Sequence, residues 1–261
     1  MRLLQLLLGE GLLYRLYRRR IVKEISALSK PHHVAMILDG NRRWAKLRAL
    51  ASSAQGHRAG ADKIHEFLCW CEDQGVEVVT LYLLSADNLT GRDKEELDNL
   101  AEIIESLADQ LSRFKNWRVK HVGQADLLPP HLLQTLEGAA ERSSQNSGLH
   151  VNLAVGYGGR AEITQAVRRL VDKHKTSGGT LDDLSTSISI SAIAEHLYTQ
   201  GQPDPDLVIR TSGEQRLSDF MLWQSAHSEF YFVEALGPDL REIDFLRALR
   251  DFGRRQRRYG S

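Results

Sequence analysis

Three short polar runs carry side chains suited to holding an anion. The first is Asp39-Gly40-Asn41-Arg42-Arg43-Trp44. Gly40 allows close backbone approach, and a helix starting just after it would offer free amides to a diphosphate. Asp39 could hold Mg²⁺ bridging to phosphate oxygens, and Arg43 could clamp the same group. The second run is Ser85-Ala86-Asp87-Asn88. The third, from Arg210 through Gly213 to Arg216 and Ser218, combines two arginines with two serines. Guanidinium forks match phosphate oxygens bidentately, so this run suits a second anion site. Glu229, just before the last strand, could complete a metal site. Each run also has a plainer reading. Asp-Gly-Asn is a common turn, short polar residues at a strand end satisfy loop amides, and the third run could be a charged loop paired with Glu214. Taken together, one acid and two basic clusters imply two anionic substrates, or one with two phosphate groups.

Other chemistries find no support. Gly156-Tyr157-Gly158-Gly159-Arg160 lacks dinucleotide spacing, and the chain has no G-x-x-x-x-G-K-[ST] phosphate loop. This glycine run reads as a tight strand-to-helix turn. No G-x-S-x-G elbow is present. Cys69 and Cys71 form a CWC run with no second cluster to complete a zinc site, and read as buried helix residues. The formal net charge is zero, so nothing points to nucleic acid. Asn88-Leu89-Thr90 matches a glycosylation acceptor by chance in a cytoplasmic protein.

The elements that must position these runs follow from periodicity. Segments 33–38, 78–84, 118–122, 150–155, 206–209 and 230–233 read as strands. The second is almost continuously apolar, as in a parallel strand covered on both faces. Ile64, Phe67, Leu68 and Cys71 mark a helix stopped by Gly75. Leu97, Leu100, Ile104, Leu107 and Leu111 mark another, and Pro129 and Pro130 start a third. Ile163 to Leu170 and Phe245 to Leu249 carry two more stripes. Segment 177–191, rich in Ser, Thr and Gly, reads as a surface loop, with Asp182 and Asp183 capping a short helix. The alternation predicts an α/β fold: one domain with a six-stranded, mostly parallel sheet wrapped by helices. In such sheets ligands bind beyond the carboxyl ends of the strands. At 261 residues, one catalytic domain over 31–261 follows an amphipathic helical segment over 1–30. The apolar start of that segment is too short to span a bilayer, which needs about 20 residues. Its basic run, YRLYRRR, suits either a solvated face or an anionic membrane surface. A second basic run, RRQRR at 254–258, reads the same way.

HVAMILDGNRRWA, GHRAG at 56–60, NLAVGYGGR and PDLVIRTSGEQRLSDFMLWQSAHSEFYF carry a resemblance. They are similar to the undecaprenyl diphosphate synthase family of cis-prenyltransferases, over nearly the whole chain. Within it the likeness is to short-chain, actinobacterial-type members that make Z,E-farnesyl diphosphate. The resemblance implies transfer of an allylic diphosphate onto isopentenyl diphosphate, a magnesium ion, a homodimer, and a cytoplasmic place, at most peripheral to the inner face of the membrane. It implies that Asp39 binds the metal and assists departure of diphosphate, with Glu229 sharing that metal. Gly40, Asn41, Arg42, Arg43, Trp44 and His57 would surround the allylic diphosphate. Ser85, Ala86, Asp87 and Arg92 would line its loop, with Asn88 at the place of the proposed proton acceptor. Arg210, Arg216 and Ser218 would hold isopentenyl diphosphate.

The chain departs from the family pattern at several places. Arg42 stands where a glycine is usual, Ser53 where an arginine is, Leu89 where a tryptophan is, and Gln215 where a histidine is. Arg92 matches the next arginine only after a one-residue shift. Leu83 and Leu84 stand where long-chain relatives commonly carry Ala-Phe. A bulkier Leu83 would narrow the wall of the prenyl tunnel, which predicts a short product. Rival readings are a non-catalytic partner subunit, a long-chain polyprenyl synthase, and an irregular coupling of two dimethylallyl units.

Overall fold

Val34 and Met36 face one side of the first strand, Ala35 and Ile37 the other, and all four are buried. A strand so covered belongs in the interior of a two-sided sheet. The structure is a computed structural model that describes residues 2–255, with side chains from residue 11 onward. In it this strand, β1 (His33–Ile37), joins β2 (Val78–Ser85), β3 (Arg118–Val122), β4 (His150–Tyr157), β5 (Leu207–Arg210) and β6 (Glu229–Phe232). The order across the sheet is β3-β4-β2-β1-β5-β6, and all five pairings are parallel. Each expected strand is present, its ends moved by no more than one or two residues.

Ten helices are described: α1 (Arg2–Ile25), α2 (Asn41–Leu47), α3 (Ser53–Gln74), α4 (Ala86–Gly91), α5 (Lys94–Ser112), α6 (Pro130–Arg142), α7 (Gly159–Thr176), α8 (Leu181–Ser187), α9 (Ile190–Ala194) and α10 (Glu242–Arg254). The stripe Ile64, Phe67, Leu68 and Cys71 is the buried face of α3. That helix ends at Gly75, whose left-handed φ of 78° returns its amide to the last carbonyls. Phe67 meets Phe245 of α10 edge-on at 5.2 Å. Truncating such a fully buried ring to alanine costs about 3–5 kcal/mol. Cys71 is buried and Cys69 half-buried.

The main core lies between one sheet face and helices α1, α3, α5, α6 and α10. A smaller cluster around Tyr157, Phe220 and Met221 covers the other face. The second half of α1 is built into the main core through Ile21 and Ile25, and Arg18 pairs with Glu242 at 2.7 Å. The expected loop over 177–191 instead contains α8 and the start of α9. Two of its Ser and Thr residues are caps: Thr180 accepts from the Asp183 amide and Ser189 from the Ala192 amide. The cap of α8 is thus Thr180, with Asp182 and Asp183 in the first turn. The basic run at 254–258 lies largely outside the described residues. Among the described residues no helix is long and apolar enough to cross a membrane.

Candidate active site

From β1 the chain moves to β2 on one side and returns on the other side as β5. The direction of winding therefore reverses between β1 and β5, where a crevice opens beyond the strand ends. Asp39 follows β1 and Arg210 ends β5, so both side chains reach that crevice. Arg210 Nη2 donates to Asp39 Oδ2 at 2.6 Å. Arg210 Nη1 donates to Ser218 Oγ at 2.8 Å and to the Arg216 carbonyl at 2.5 Å. Thr211 ties the two strand ends together: its hydroxyl lies 2.7 Å from both the amide and the carbonyl oxygen of Asp39.

Gly40 starts α2 with φ 96°, a left-handed backbone that disfavours any side chain. A Cβ there would also stand 2.8 Å from Leu236 and 3.1 Å from Ser212. Gly56 does the same service for α3, because a Cβ would lie 2.2 Å from the Asn41 carbonyl oxygen. These two positions let the phosphate-side loop, α2 and α3 close on one another, and His57 of α3 thereby reaches the crevice.

The crevice is a cleft of about 620 Å³. Its floor and walls include Asp39, Gly40, Asn41, Arg42, Arg43, His57, Leu83, Leu84, Ser85, Asp87, Asn88, Arg92, Arg210 and Ser218. Five buried polar atoms here have no hydrogen-bond partner: Asn41 Oδ1, His57 Nε2, Arg92 Nε, Arg210 Nε and Ser212 Oγ. Buried polar groups are ordinarily satisfied, so their clustering marks a surface made to receive a polar ligand. Burial raises the pKa of Asp39, but the Arg210 guanidinium and the Gly40 amide outweigh it and hold the carboxyl below its ordinary value. Burial and the neighbouring Arg92 charge push His57 below its ordinary value, favouring the neutral ring. Glu96 pairs with Arg92 at 2.8 Å and lies 3.6 Å from His57 Nε2.

An apolar extension of about 50 Å³ leads inward from the cleft between α3 and α5, past Ile64, Leu83, Ile104 and Leu107. Leu83 enters it because β2 is bulged: Tyr82 pairs with Ala154 and Leu84 with Val155, leaving Leu83 as the extra residue. A bulge re-aims side chains, so Tyr82, Leu83 and Leu84 all reach the cleft.

Over residues 37–260 the chain matches the family described as "Putative undecaprenyl diphosphate synthase". The chain belongs to that family. It is 56% identical, over 95% of its length and 97% of the relative's, to "(2Z,6E)-farnesyl diphosphate synthase" of Thermobifida fusca. It is 49% identical, over 95% of each chain, to the protein of the same description from Mycobacterium tuberculosis. The structure superposes on lavandulyl diphosphate synthase from Lavandula x intermedia, solved with dimethylallyl diphosphate, with TM-score 0.80 and 36% identity. That match covers 87% of this chain and 97% of the other. The family assigns a prenyl-transferring activity, and the fold is that of its members.

Four expected site residues stand outside the cleft lining. Trp44 turns away and donates its indole N–H to Asp239 at 2.8 Å. Ala86 opens α4 behind Ser85, whose hydroxyl caps that helix by accepting from the Asn88 amide. Arg216 is exposed and pairs with Glu214, which also lies 3.2 Å from Arg43. Glu229 is a correction. It is the first residue of β6 and stands level with Leu207, which itself stands level with Val34. Asp39 lies beyond the opposite end of β1, so one chain cannot bring both carboxylates to one ion. Glu229 pairs instead with Arg255.

The remaining donors still fit magnesium. Among the described residues no cluster of three or more His, Cys, Asp or Glu could hold a metal. Mg²⁺ needs no such cage, since it is commonly bound by one or two carboxylates plus substrate phosphates. Asp39, beside two basic groups that would bind those phosphates, would supply that carboxylate. Tyr82 and Glu96 are site residues absent from the sequence reading, while Thr211 and Ser212 stood in its third run without a role of their own. Of these two, Glu96 was within reach of it, four residues after Arg92, which precedes the cap of α5.

Proposed function

We propose that this chain condenses isopentenyl diphosphate with a short allylic diphosphate, geranyl diphosphate foremost, in cis geometry, releasing diphosphate and (2Z,6E)-farnesyl diphosphate. The observation that carries this reading is the meeting of Asp39 and Arg210 in a phosphate-sized cleft from which a short apolar extension leads. Gly40, Asn41, Arg42, Arg43 and His57 face the allylic diphosphate. Arg210 and Ser218 face isopentenyl diphosphate, and Arg216 would join them by leaving its exposed pair with Glu214. Magnesium, held by Asp39 and substrate oxygens, would stabilise charge developing on the leaving group.

The chain's own part is mainly electrostatic. As the allylic C–O bond breaks, negative charge grows on the departing diphosphate, where basic groups already wait. The isopentenyl double bond attacks the allylic carbon and forms the new C–C bond. A proton then leaves the adjacent carbon. Asn88 lines the cleft on α4 but is a poor base by its chemistry, so it orients this step while a diphosphate oxygen takes the proton. The extension of about 50 Å³ is narrowed where Leu83 enters it. A bulky side chain at that place favours an early stop over a long polyprenyl product.

The chain acts as a homodimer, and the open edge strand β6 with its exposed Phe232 is a surface another copy could cover. Peripheral membrane contact is supported by α1, where exposed Leu12, Leu13 and Leu16 stand beside Arg15, Arg19 and Arg20. Purified protein incubated with labelled isopentenyl diphosphate and dimethylallyl, geranyl or farnesyl diphosphate tests the reaction. A single addition to geranyl diphosphate is expected. Products extended by many units, incorporation of dimethylallyl groups alone, or no incorporation would each overturn the reading.

A further inference from the structure

Behind the isopentenyl side of the cleft, the segment after Arg216 holds three non-glycine residues in left-handed backbone. They are Ser218 at φ 51°, Asp219 at 62° and Met221 at 47°. Such conformations persist only where the surroundings over-determine them. Phe220, fully buried, is the peg of this segment. It stacks on Tyr82 at 4.6 Å and 14°, and meets Tyr157 edge-on at 5.9 Å. The Tyr82 hydroxyl donates to the Ser218 carbonyl at 3.1 Å, and the Gly159 amide to the Asp219 carbonyl at 2.7 Å.

Under this seat lies Glu162, 2% exposed and without an ion-pair partner among the described residues. Its Oε2 accepts from the Tyr157 hydroxyl at 2.5 Å. Its Oε1 accepts from the Tyr198 amide at 2.8 Å, and both oxygens accept from Gln224 Nε2 at 3.1 Å. Gln224 lies just past the strained segment, and Tyr157 lies against its peg. Glu162 thus grips the segment from both sides. A buried carboxylate satisfied only by neutral donors is costly to keep in a fold, which points to work beyond packing.

We propose that Glu162 is a positioning residue for isopentenyl diphosphate. Acting through Tyr157 and Gln224, it fixes Phe220, and so sets the Ser218 hydroxyl and the Arg210 guanidinium bound to it. This rests on the assignment of Arg210 and Ser218 to isopentenyl diphosphate. The allylic side, carried by α2, α3 and α4, contributes none of Glu162, Tyr157, Gln224 and Phe220, and meets them at the end of β2, where Ser85 is paired with Tyr157 and Tyr82 stacks on Phe220.

The test compares Glu162→Gln, Glu162→Ala and Tyr157→Phe with the unmodified chain. Steady-state rates are taken with each substrate varied in turn, and calorimetry follows isopentenyl diphosphate binding in the absence of any allylic substrate. For Glu162→Ala the KM and Kd for isopentenyl diphosphate are expected to rise about 10–100-fold, with kcat and the allylic KM within about twofold. Tyr157→Phe should move the same two quantities less, and Glu162→Gln, which keeps the acceptor oxygen, should restore most of the loss. Equal effects on both substrates, or unchanged isopentenyl diphosphate affinity in all three variants, would overturn the proposal. Should Glu162→Ala fail to fold, Tyr157→Phe and Glu162→Gln still decide it. If the unmodified chain binds isopentenyl diphosphate but transfers no prenyl group, the functional reading fails while the calorimetry still judges Glu162.

Discussion

Asp39 and Arg210, separated by 171 positions in sequence, meet at 2.6 Å across the gap between β1 and β5. Each partner neutralises the other until substrates arrive. Replacing Asp39 by Asn keeps the shape and removes the charge. We expect kcat to fall about 10²–10³-fold, the usual loss when one preorganised charge-stabilising group is removed. In the presence of chelator, isopentenyl diphosphate should bind at least as tightly as before, because Arg210 is released. Calorimetry checks this, and weakened binding would contradict the pairing described.

Arg42 lines the cleft and has no hydrogen-bond or ion-pair partner among the described residues. It is therefore available to an incoming diphosphate without any internal pair being broken. Arg42→Gly should raise the allylic KM about tenfold, the effect of losing one charge-assisted hydrogen bond. The KM for isopentenyl diphosphate should stay near its starting value in the same assay.

Leu83 narrows the apolar extension from its bulged place on β2. Leu83→Ala should lengthen the product, since each added CH₂ buried favours elongation by about 0.8 kcal/mol until the wall is met. Chromatography of the dephosphorylated products reads the outcome. An unchanged product would remove Leu83 from the account of chain length.

His33 predicts a pH dependence of stability. It is fully buried, its Nδ1 2.7 Å from the Pro203 carbonyl oxygen and its Nε2 2.8 Å from the Thr80 hydroxyl. Burial lowers its pKa from 6.5 to about 4. The folded state therefore resists a proton that the unfolded chain accepts. Above 6.5 the stabilisation is complete, and it declines as pH falls toward about 4. The total loss is about 3 kcal/mol, at about 1.4 kcal/mol per pH unit. Denaturant midpoints taken in steps from about pH 7 to about pH 4.5 should fall in this window, and His33→Gln should flatten the slope.

The parts legible in the sequence were those set by local patterns. Continuous apolar runs located the strands, and Gly75 stopped α3 where its left-handed turn is required. The run from Arg210 to Ser218 revealed its cations because they lie close together in the chain. The errors came from features that one-dimensional order hides. Glu229 stood near a strand, but only the parallel pairing shows that it begins the strand at the end away from Asp39. Leu83 does line the apolar extension, as its place and size suggested, but its entry depends on a bulge that leaves no mark on composition. Segment 177–191 was read as a loop with one short helix capped by Asp182 and Asp183, although in the fold Thr180 and Ser189 cap two. Trp44 was drawn toward the ligand by its neighbours, yet its indole is satisfied by Asp239 on the surface.

The three cleft-bearing strands, β1, β2 and β5, are interior strands with a hydrogen-bonded neighbour on each side. Their backbones cannot loosen by fraying from an edge. Amides within 34–37 should exchange with deuterium only when the whole molecule comes apart. Heat should then erase turnover and the folded signal at one common temperature, with no dormant folded species between them.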